Sequence, residues 1–366
     1  ATTARGSIGV AASEGVRDVS NGSPDPALLP ALCEAFTEVS RRYAERPGMY
    51  GEAPVDEEFG RLARAAFDAD GVPDGPVGVT SGSLDAVERV LAVHLRPGDA
   101  VAVEDPGWGS LLDLVPALGL RPVPIAVDDE GPLPEEMERA IRKDGARAVI
   151  VTDRAQNPTG ACVTAPRAAA LRRVLAAHPG VLLVEDDHGH GIVAQPLHPL
   201  AGGTDHWVLI RSVAKAYGPD LRIAAFTGDP ETVDRVLGRQ RLGPGWVSRL
   251  LQQAVAHLWA TGAVDPAVVA RSYAQRRDGL VRALARRGVE AHGRSGMNVW
   301  IPVADETGAV ARLVAAGWAV APGARFRTNT GAAVRVTVSG LAVAEVEGLA
   351  EALAGAVAPG AARSYG

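Results

Sequence analysis

The chain reads as an α/β protein: a large domain with a mostly parallel sheet flanked by helices, followed by a smaller α/β domain. Three observations predict this. Short apolar runs alternate with helix-period stretches from residue 77 to residue 227, the pattern of a sheet built from β/α units. A shorter alternation returns between residues 298 and 338, after three consecutive helical patterns. A chain of 366 residues with 47% hydrophobic content is large enough to fold as two lobes. The expected division is an N-terminal arm and helix over 1–48, grouped with the small domain, a large domain over 49–240, and interdomain helices with the C-terminal small domain over 241–366.

Residues 1–20 read as an irregular arm, closed by the turn cluster Asn21-Gly22-Ser23-Pro24-Asp25-Pro26. A helical pattern over 28–43 follows, with Leu29, Leu32, Phe36, Val39 and Tyr43 near helical spacing. A strand at 77–80 runs through the small-residue turn Ser81-Gly82-Ser83 into a helix at 84–95. Such a turn is either a plain N-cap or an anion site, since free backbone N–H groups and the positive helix end point the same way. A strand at 101–104 ends in Asp105-Pro106-Gly107-Trp108. A strand at 123–127, a helix at 133–141 and a strand at 146–152 lead to Gln156-Asn157-Pro158-Thr159-Gly160 and a helix at 165–177. The strand at 181–184 ends in Glu185-Asp186-Asp187-His188-Gly189-His190. Two apolar runs, 208–210 and 223–226, flank Ser212, Lys215 and a Gly218-Pro219 turn. Helical patterns then cover 230–239, 246–261 and 264–287; the last carries Arg271, Arg276, Arg277 and Arg282, which read as a solvated face. A strand at 298–303, a helix at 307–316, a Pro322-Gly323 turn and a strand at 333–338 complete the small lobe.

The whole-chain balance narrows the function classes. Net charge is −6 and no dense basic patch argues for nucleic acid. Cys33 and Cys162 stand far apart without metal spacing, which fits a reducing compartment. No apolar run approaches the roughly 20 residues that cross a bilayer, and the opening residues lack the apolar core of a signal peptide. A cytoplasmic protein without membrane or nucleic-acid partners is the expectation.

Lysine usage singles out one residue. Among 37 basic residues only Lys143 and Lys215 are lysines. Arginine keeps its proton, whereas a desolvated lysine loses it and becomes a nucleophile. Lys143 lies in the polar run Arg142-Lys143-Asp144, a solvated helix end. Lys215 sits between apolar runs and is forced close to the sheet. A buried carboxylate at the end of the 181–184 strand needs a partner. Asp186, Asp187, His188 and His190 have the residue types of a metal site, but no helical pair or third nearby histidine, so no metal is expected.

Ser212-x-x-Lys215, with Arg222 seven residues on, resembles the cofactor-lysine segment of the class I/II aminotransferases, pyridoxal-phosphate enzymes of fold type I. Ala214 stands where a second Ser is common and Asp220 where a small residue is common. Five further blocks resemble the family in order: Tyr50-Gly51 through Gly60, the Ser81-Gly82-Ser83 turn, Asp105-Pro106-Gly107-Trp108, Asn157-Pro158-Thr159-Gly160, and Asp186 after its strand.

The resemblance implies a role for each. Lys215 forms the Schiff base with pyridoxal 5′-phosphate and moves the proton. Asp186 pairs with the pyridine nitrogen. Ser81, Gly82, Ser83, Ser212 and Arg222 hold the phosphate, Trp108 stacks on the ring and Asn157 meets its phenolic oxygen. Tyr50 reaches the partner subunit's cofactor in a homodimer. His188 stands where the family has a Tyr, which puts the reaction type in question. Arg335, inside the strand at 333–338, clasps the substrate carboxylate, with Arg325 and Arg327 as neighbouring alternatives; the arm turn at Asn21 and Gly22 lies over the substrate. The implied reaction is amino transfer between an amino acid and a keto acid. Other pyridoxal-phosphate chemistry, such as decarboxylation, elimination or condensation, is the alternative. The Asp-Asp pair followed by an aromatic-type position and the Gln-Asn-Pro-Thr-Gly block look closest to the aminotransferase-like domain of MocR-type transcription regulators. Those carry a winged-helix domain ahead of it, and this chain starts almost at the arm. A free-standing enzyme of that subgroup, or an excised effector domain, is therefore expected.

Overall fold

The computed structural model describes residues 15–357; the opening of the predicted arm, 1–14, lies outside them. Thirteen strands occur in the described residues. They are β1 (Arg17–Asp18), β2 (Val77–Thr80), β3 (Ala100–Asp105), β4 (Arg121–Asp128), β5 (Gly131–Pro132), β6 (Ala146–Thr152) and β7 (Leu182–Asp187). After these come β8 (His206–Ser212), β9 (Ala224–Gly228), β10 (Asn298–Pro302), β11 (Trp318–Ala319), β12 (Ala321–Pro322) and β13 (Ala333–Thr337). The helices are α1 (Cys33–Glu45), α2 (Glu57–Ala69), α3 (Ser83–His94), α4 (Gly109–Ala117), α5 (Pro134–Arg142) and α6 (Ala165–Ala176). The short α7 (Ala214–Tyr217) precedes α8 (Pro230–Arg241), α9 (Arg249–Ala260), α10 (Pro266–Ala285), α11 (Glu306–Ala315) and α12 (Val346–Val357).

One eight-stranded sheet runs in the order β2-β9-β8-β7-β6-β3-β4-β5. The pairs β4/β3, β3/β6, β6/β7 and β7/β8 are parallel, while β9 runs against both β8 and β2. Strands buried on both faces read as continuous apolar runs, as residues 100–103 of β3 and 207–210 of β8 do. Apolar clusters cover each face: Val87, Leu91, Val103 and Ile210 on one, Val149, Leu183, Leu209 and Leu171 on the other. Helix starts follow local chemistry. Asp229 and Asp265 cap α8 and α10 with their carboxylates, each followed by a proline that has no N–H to leave unpaired. A second, antiparallel sheet β10-β13-β12 forms the small lobe, and β1 of the arm pairs with β11 beside it.

Two expectations are corrected. The helix read from residue 28 begins only at Cys33, after a 3-10 turn at Pro26–Leu28. Pro30 explains this, because the residue before a proline is pushed out of the helical region. The arginines of α10 do not share one solvated face. Arg271 and Arg282 are exposed, but Arg277 is buried, donates to the Gly296 carbonyl at 2.8 Å and pairs with Asp278 at 2.7 Å. Arg276 reaches Asp25 at 2.8 Å. Both side chains are long enough to leave the helix and satisfy loop groups of the arm and the small lobe.

Candidate active site

The carboxyl ends of β3, β6, β7 and β8 open on one side of the sheet, where open α/β folds bind ligands. A cavity of about 330 Å³ lies there. Gly82, Ser83, Trp108, Asn157, Asp186, His188, Ser212, Lys215 and Arg222 all line it. An adjoining cavity of about 280 Å³ shares Trp108, Asn157 and Lys215 and adds Gly22, Arg325, Phe326 and Arg335.

Each wall has a local cause. Gly82 adopts φ 98°, and a Cβ there would stand 2.9 Å from the Arg222 guanidinium, so only glycine leaves this cradle open. The turn delivers the chain into α3, whose positive end faces the cavity. Arg222 takes a left-handed conformation at φ 50° and donates to the Ser81 carbonyl at 3.0 Å. Ser81 itself is exposed and is absent from the cavity lining; its backbone carbonyl is what positions Arg222. Ser212 accepts from the Ala214 N–H at 3.2 Å at the start of α7.

Lys215 lies on α7 and donates to the Gly22 carbonyl of the arm at 2.5 Å. Burial first, and then the nearby Arg335 charge, pushes its ammonium down to about 8. Arg335 is on β13, the middle strand of the small sheet, and is 3% exposed. It therefore does not face water from a sheet edge. Its guanidinium donates to Asn157 Oδ1 at 2.9 Å and to the Ser20 carbonyl at 2.6 Å, with its guanidinium carbon 4.5 Å from the centre of the Phe326 ring. Burial, then Arg325, pushes it down to about 9, and it remains a cation at neutral pH. Because Arg335 occupies the carbonyl end of Asn157, the amide NH₂ is the end left for a ligand.

Asp186 ends β7 and its Oδ2 meets His188 Nδ1 at 2.9 Å, while His188 Nε2 donates to the Ala155 carbonyl at 2.8 Å. Burial opposes charge on this ring, but the Asp186 carboxylate outweighs it and raises the imidazole. Both ring nitrogens are committed to the protein. The four residues considered as a metal set separate: Asp186 and His188 line the cavity, while Asp187 and His190 turn to the other face beside Asp70. There Asp187 is held by Arg154 at 2.7 Å and Arg211 at 3.0 Å.

Three other residues fall outside the cavity lining. Tyr50 is 90% exposed, with its ring edge-on to Trp246 at 5.6 Å. Asn21 spends its side chain on the arm turn, bonding the Ser23 N–H at 3.1 Å and Asp18 at 3.2 Å, while Gly22 beside it does reach the second cavity. Arg327 pairs with Glu306 at 3.1 Å.

Sequence reading missed several contributors. Ser110 and Phe326 line the cavities without any motif to mark them. Gln156 is fully buried and ties Glu104, the Pro106 carbonyl and Thr159 together under the site. Arg211, inside an apolar run, carried a signal: a cation in a buried strand needs anions.

Three buried polar atoms around these cavities have no hydrogen-bond partner among the described residues: Ser83 Oγ, Asp186 Oδ1 and Arg335 Nε. A hydroxyl beside a helix N-terminus, a carboxylate oxygen and a guanidinium N–H fit a phosphate, a ring N–H and a carboxylate. Together with Lys215 they fit pyridoxal phosphate and an amino acid.

Comparison with known proteins agrees. The family profile described as "Aminotransferase class I and II" matches residues 19–353. The chain is 40% identical to the vitamin B6 salvage pathway transcriptional repressor PtsJ of Salmonella typhimurium, over 95% of this chain and 83% of that protein. It is 25% identical to the 2-aminoadipate transaminase of Thermus thermophilus, over 96% of this chain and 91% of that one. Its fold matches the crystal structure of an archaeal alanine:glyoxylate aminotransferase with a TM-score of 0.83 at 20% identity, covering 98% of this chain and 96% of that one. The chain belongs to the class I and II aminotransferase family, with the pyridoxal-phosphate fold type I and pyridoxal 5′-phosphate as its cofactor.

Proposed function

We propose that the protein transfers the amino group of an amino acid to a keto acid. The observation that carries this reading is the set of three unpartnered buried atoms, Ser83 Oγ, Asp186 Oδ1 and Arg335 Nε, arranged around Lys215. When bound, pyridoxal phosphate supplies the electron sink that makes an amino acid's Cα proton removable. Lys215 would hold the cofactor covalently and, once freed, would take the proton from the amino acid's Cα and deliver it to the carbon that carried the Schiff base, the proton shift that amino transfer requires. An amine brought down to about 8 does this near neutral pH. Asp186 Oδ1 accepts the ring N–H and keeps it protonated. His188, bonded to Asp186 and Ala155, orients that carboxylate rather than standing in for a phenol donor. Ser83, Gly82, Ser212 and Arg222 hold the phosphate, Trp108 sets the ring plane, and the Asn157 amide donates to the phenolic oxygen. Arg335 clasps the α-carboxylate, displacing the Ser20 carbonyl from it.

The same reading makes the protein a cytoplasmic homodimer with large and small domains divided near residues 49 and 241. Tyr50 and Met49 are highly exposed beside a 740 Å³ groove that mixes Trp246 and Leu250 with charged Arg46, Glu52 and Arg249, a surface suited to a second copy. Among the described residues no helix is long and apolar enough to cross a membrane. The 40% identity to a transcriptional repressor supports a second reading, a cofactor-binding effector domain.

One set of samples separates these. Cofactor-loaded protein, sedimenting as a dimer, should lose its visible absorption band with an amino acid and regain it with a keto acid. Lys215→Ala should have no covalent band and Lys143→Ala should keep it. A band that shifts with amino acid but never completes the exchange favours the effector reading. Sedimentation as a monomer removes Tyr50 from the site, and a normal band in Lys215→Ala overturns the assignment of the lysine.

A further inference from the structure

Arg335 is not the only guanidinium in the substrate cavity. Arg325, in the 3-10 turn Gly323–Arg325, lines the same 280 Å³ space as Arg335, Lys215 and Trp108. The two arginines share a platform. The Arg335 guanidinium carbon lies 4.5 Å from the centre of the Phe326 ring and that of Arg325 lies 5.5 Å from it. Phe326 is buried and edge-on to Trp300, so the platform is fixed.

Their partners differ from those of every neighbouring arginine. Arg327, two residues on, pairs with Glu306, and Arg276 and Arg277 pair with Asp25 and Asp278. Among the described residues no carboxylate pairs with Arg325, and its guanidinium lies against the aromatic face of Phe326. Burial lowers its guanidinium, and its charge in turn lowers Arg335. Two half-buried or buried cations held on one ring without a carboxylate between them repel each other. A protein keeps such a pair where an anion completes it.

The α-carboxylate of an amino acid satisfies one guanidinium. We propose that Arg325 binds a second acidic group, on the substrate side chain, so that the protein selects amino acids with an anionic side chain over neutral ones. This rests on the reading of Arg335 given above and deepens it. A carboxylate and a phosphate share the chemistry required, an oxyanion within reach of a planar fork of N–H donors.

The test uses cofactor-loaded protein and equilibrium binding by calorimetry, with inert ligands that need no turnover. Glutarate has two carboxylates, glutaramate replaces one by a neutral amide of the same shape, and 4-phosphonobutyrate replaces one by a phosphonate. Glutarate is expected to bind at least about tenfold tighter than glutaramate, the usual worth of a hydrogen-bonded charge. Arg325→Gln should bring that ratio close to one by weakening glutarate, and Arg325→Lys should retain part of it. Tighter 4-phosphonobutyrate than glutarate identifies a phosphorylated side chain; the reverse identifies a carboxylate. Equal binding of glutarate and glutaramate, or a ratio unchanged in Arg325→Gln, overturns the role of Arg325 alone. Binding of neither overturns it together with the reading of Arg335.

Discussion

Asp186 and Asp187 are neighbours on β7, both buried, and they lead opposite lives. Asp187 faces α2 and is closed on all sides: Arg154 and Arg211 hold it, Arg211 also reaches Asp70 at 2.5 Å, and the Arg211 guanidinium carbon lies 4.7 Å from the Phe67 ring centre. Asp186 faces the cavity, keeps one oxygen on His188 and leaves the other without a partner. A buried charge without a partner is costly. Where the fold completes its own charges, it is fastening elements together. Where it leaves a polar atom open beside a cavity, the missing partner is a ligand. The Asp187 side also holds Asp153 and Glu185, two carboxylates without other donors at Asp153 Oδ1, Asp153 Oδ2 and Glu185 Oε2. Two carboxylates bond each other only when one carries a proton. Burial, with Glu185 beside it, raises Asp153, and burial pushes Glu185 up to about 7.

This comparison breaks most easily at Asp187. Asp187→Asn removes the anion shared by two buried arginines and should lower unfolding free energy by about 3–5 kcal/mol, read by urea denaturation. A cost under about 1 kcal/mol would mean that the network does not fasten β7 to α2. Asp186→Asn should do the reverse. Amino transfer should fall by about a hundredfold to a thousandfold, as when one electrostatic group of an active site is lost, with a smaller stability cost than Asp187→Asn. Equal destabilisation by the two would erase the distinction between the faces.

The smallest effect sharpens the comparison through pH. Glu185 is raised above its unfolded value, so its favourable state is present at low pH and is lost as pH rises from about 4.5 through about 7. Asp153→Asn supplies an N–H donor that needs no shared proton. Stability between pH 5 and pH 8 should fall by about 2–3 kcal/mol in the native protein and stay flatter in the variant. An unchanged slope would place the pH dependence elsewhere.

Much of the site was legible because its chemistry is local. Lys215 stood out against an arginine-rich chain, Asn157 against its Pro-Thr-Gly turn, and Gly82 in a strand-to-helix turn. Each of these depends on residues only a few positions away. Period-two alternation puts Asp186 and Asp187 on opposite faces of β7, but nothing in that alternation marks which face holds the cavity. The arm shows the same limit. Gly22 reaches Lys215 across 193 positions and Ser20 reaches Arg335 across 315, contacts that no window of sequence contains.

By itself, then, the amino-acid sequence determined the β/α alternation, the turn that opens α3, the lysine and the order of the family blocks, because periodicity, turn chemistry and residue scarcity act over short stretches. Tertiary structure alone decided that Arg277 is buried, that Arg335 lies in a central strand, that His188 serves Asp186, and that Arg325 shares a ring with Arg335. Those outcomes depend on which surfaces meet when two lobes close. Burial and charge are properties of the assembled neighbourhood, and a residue's own segment supplies only part of it.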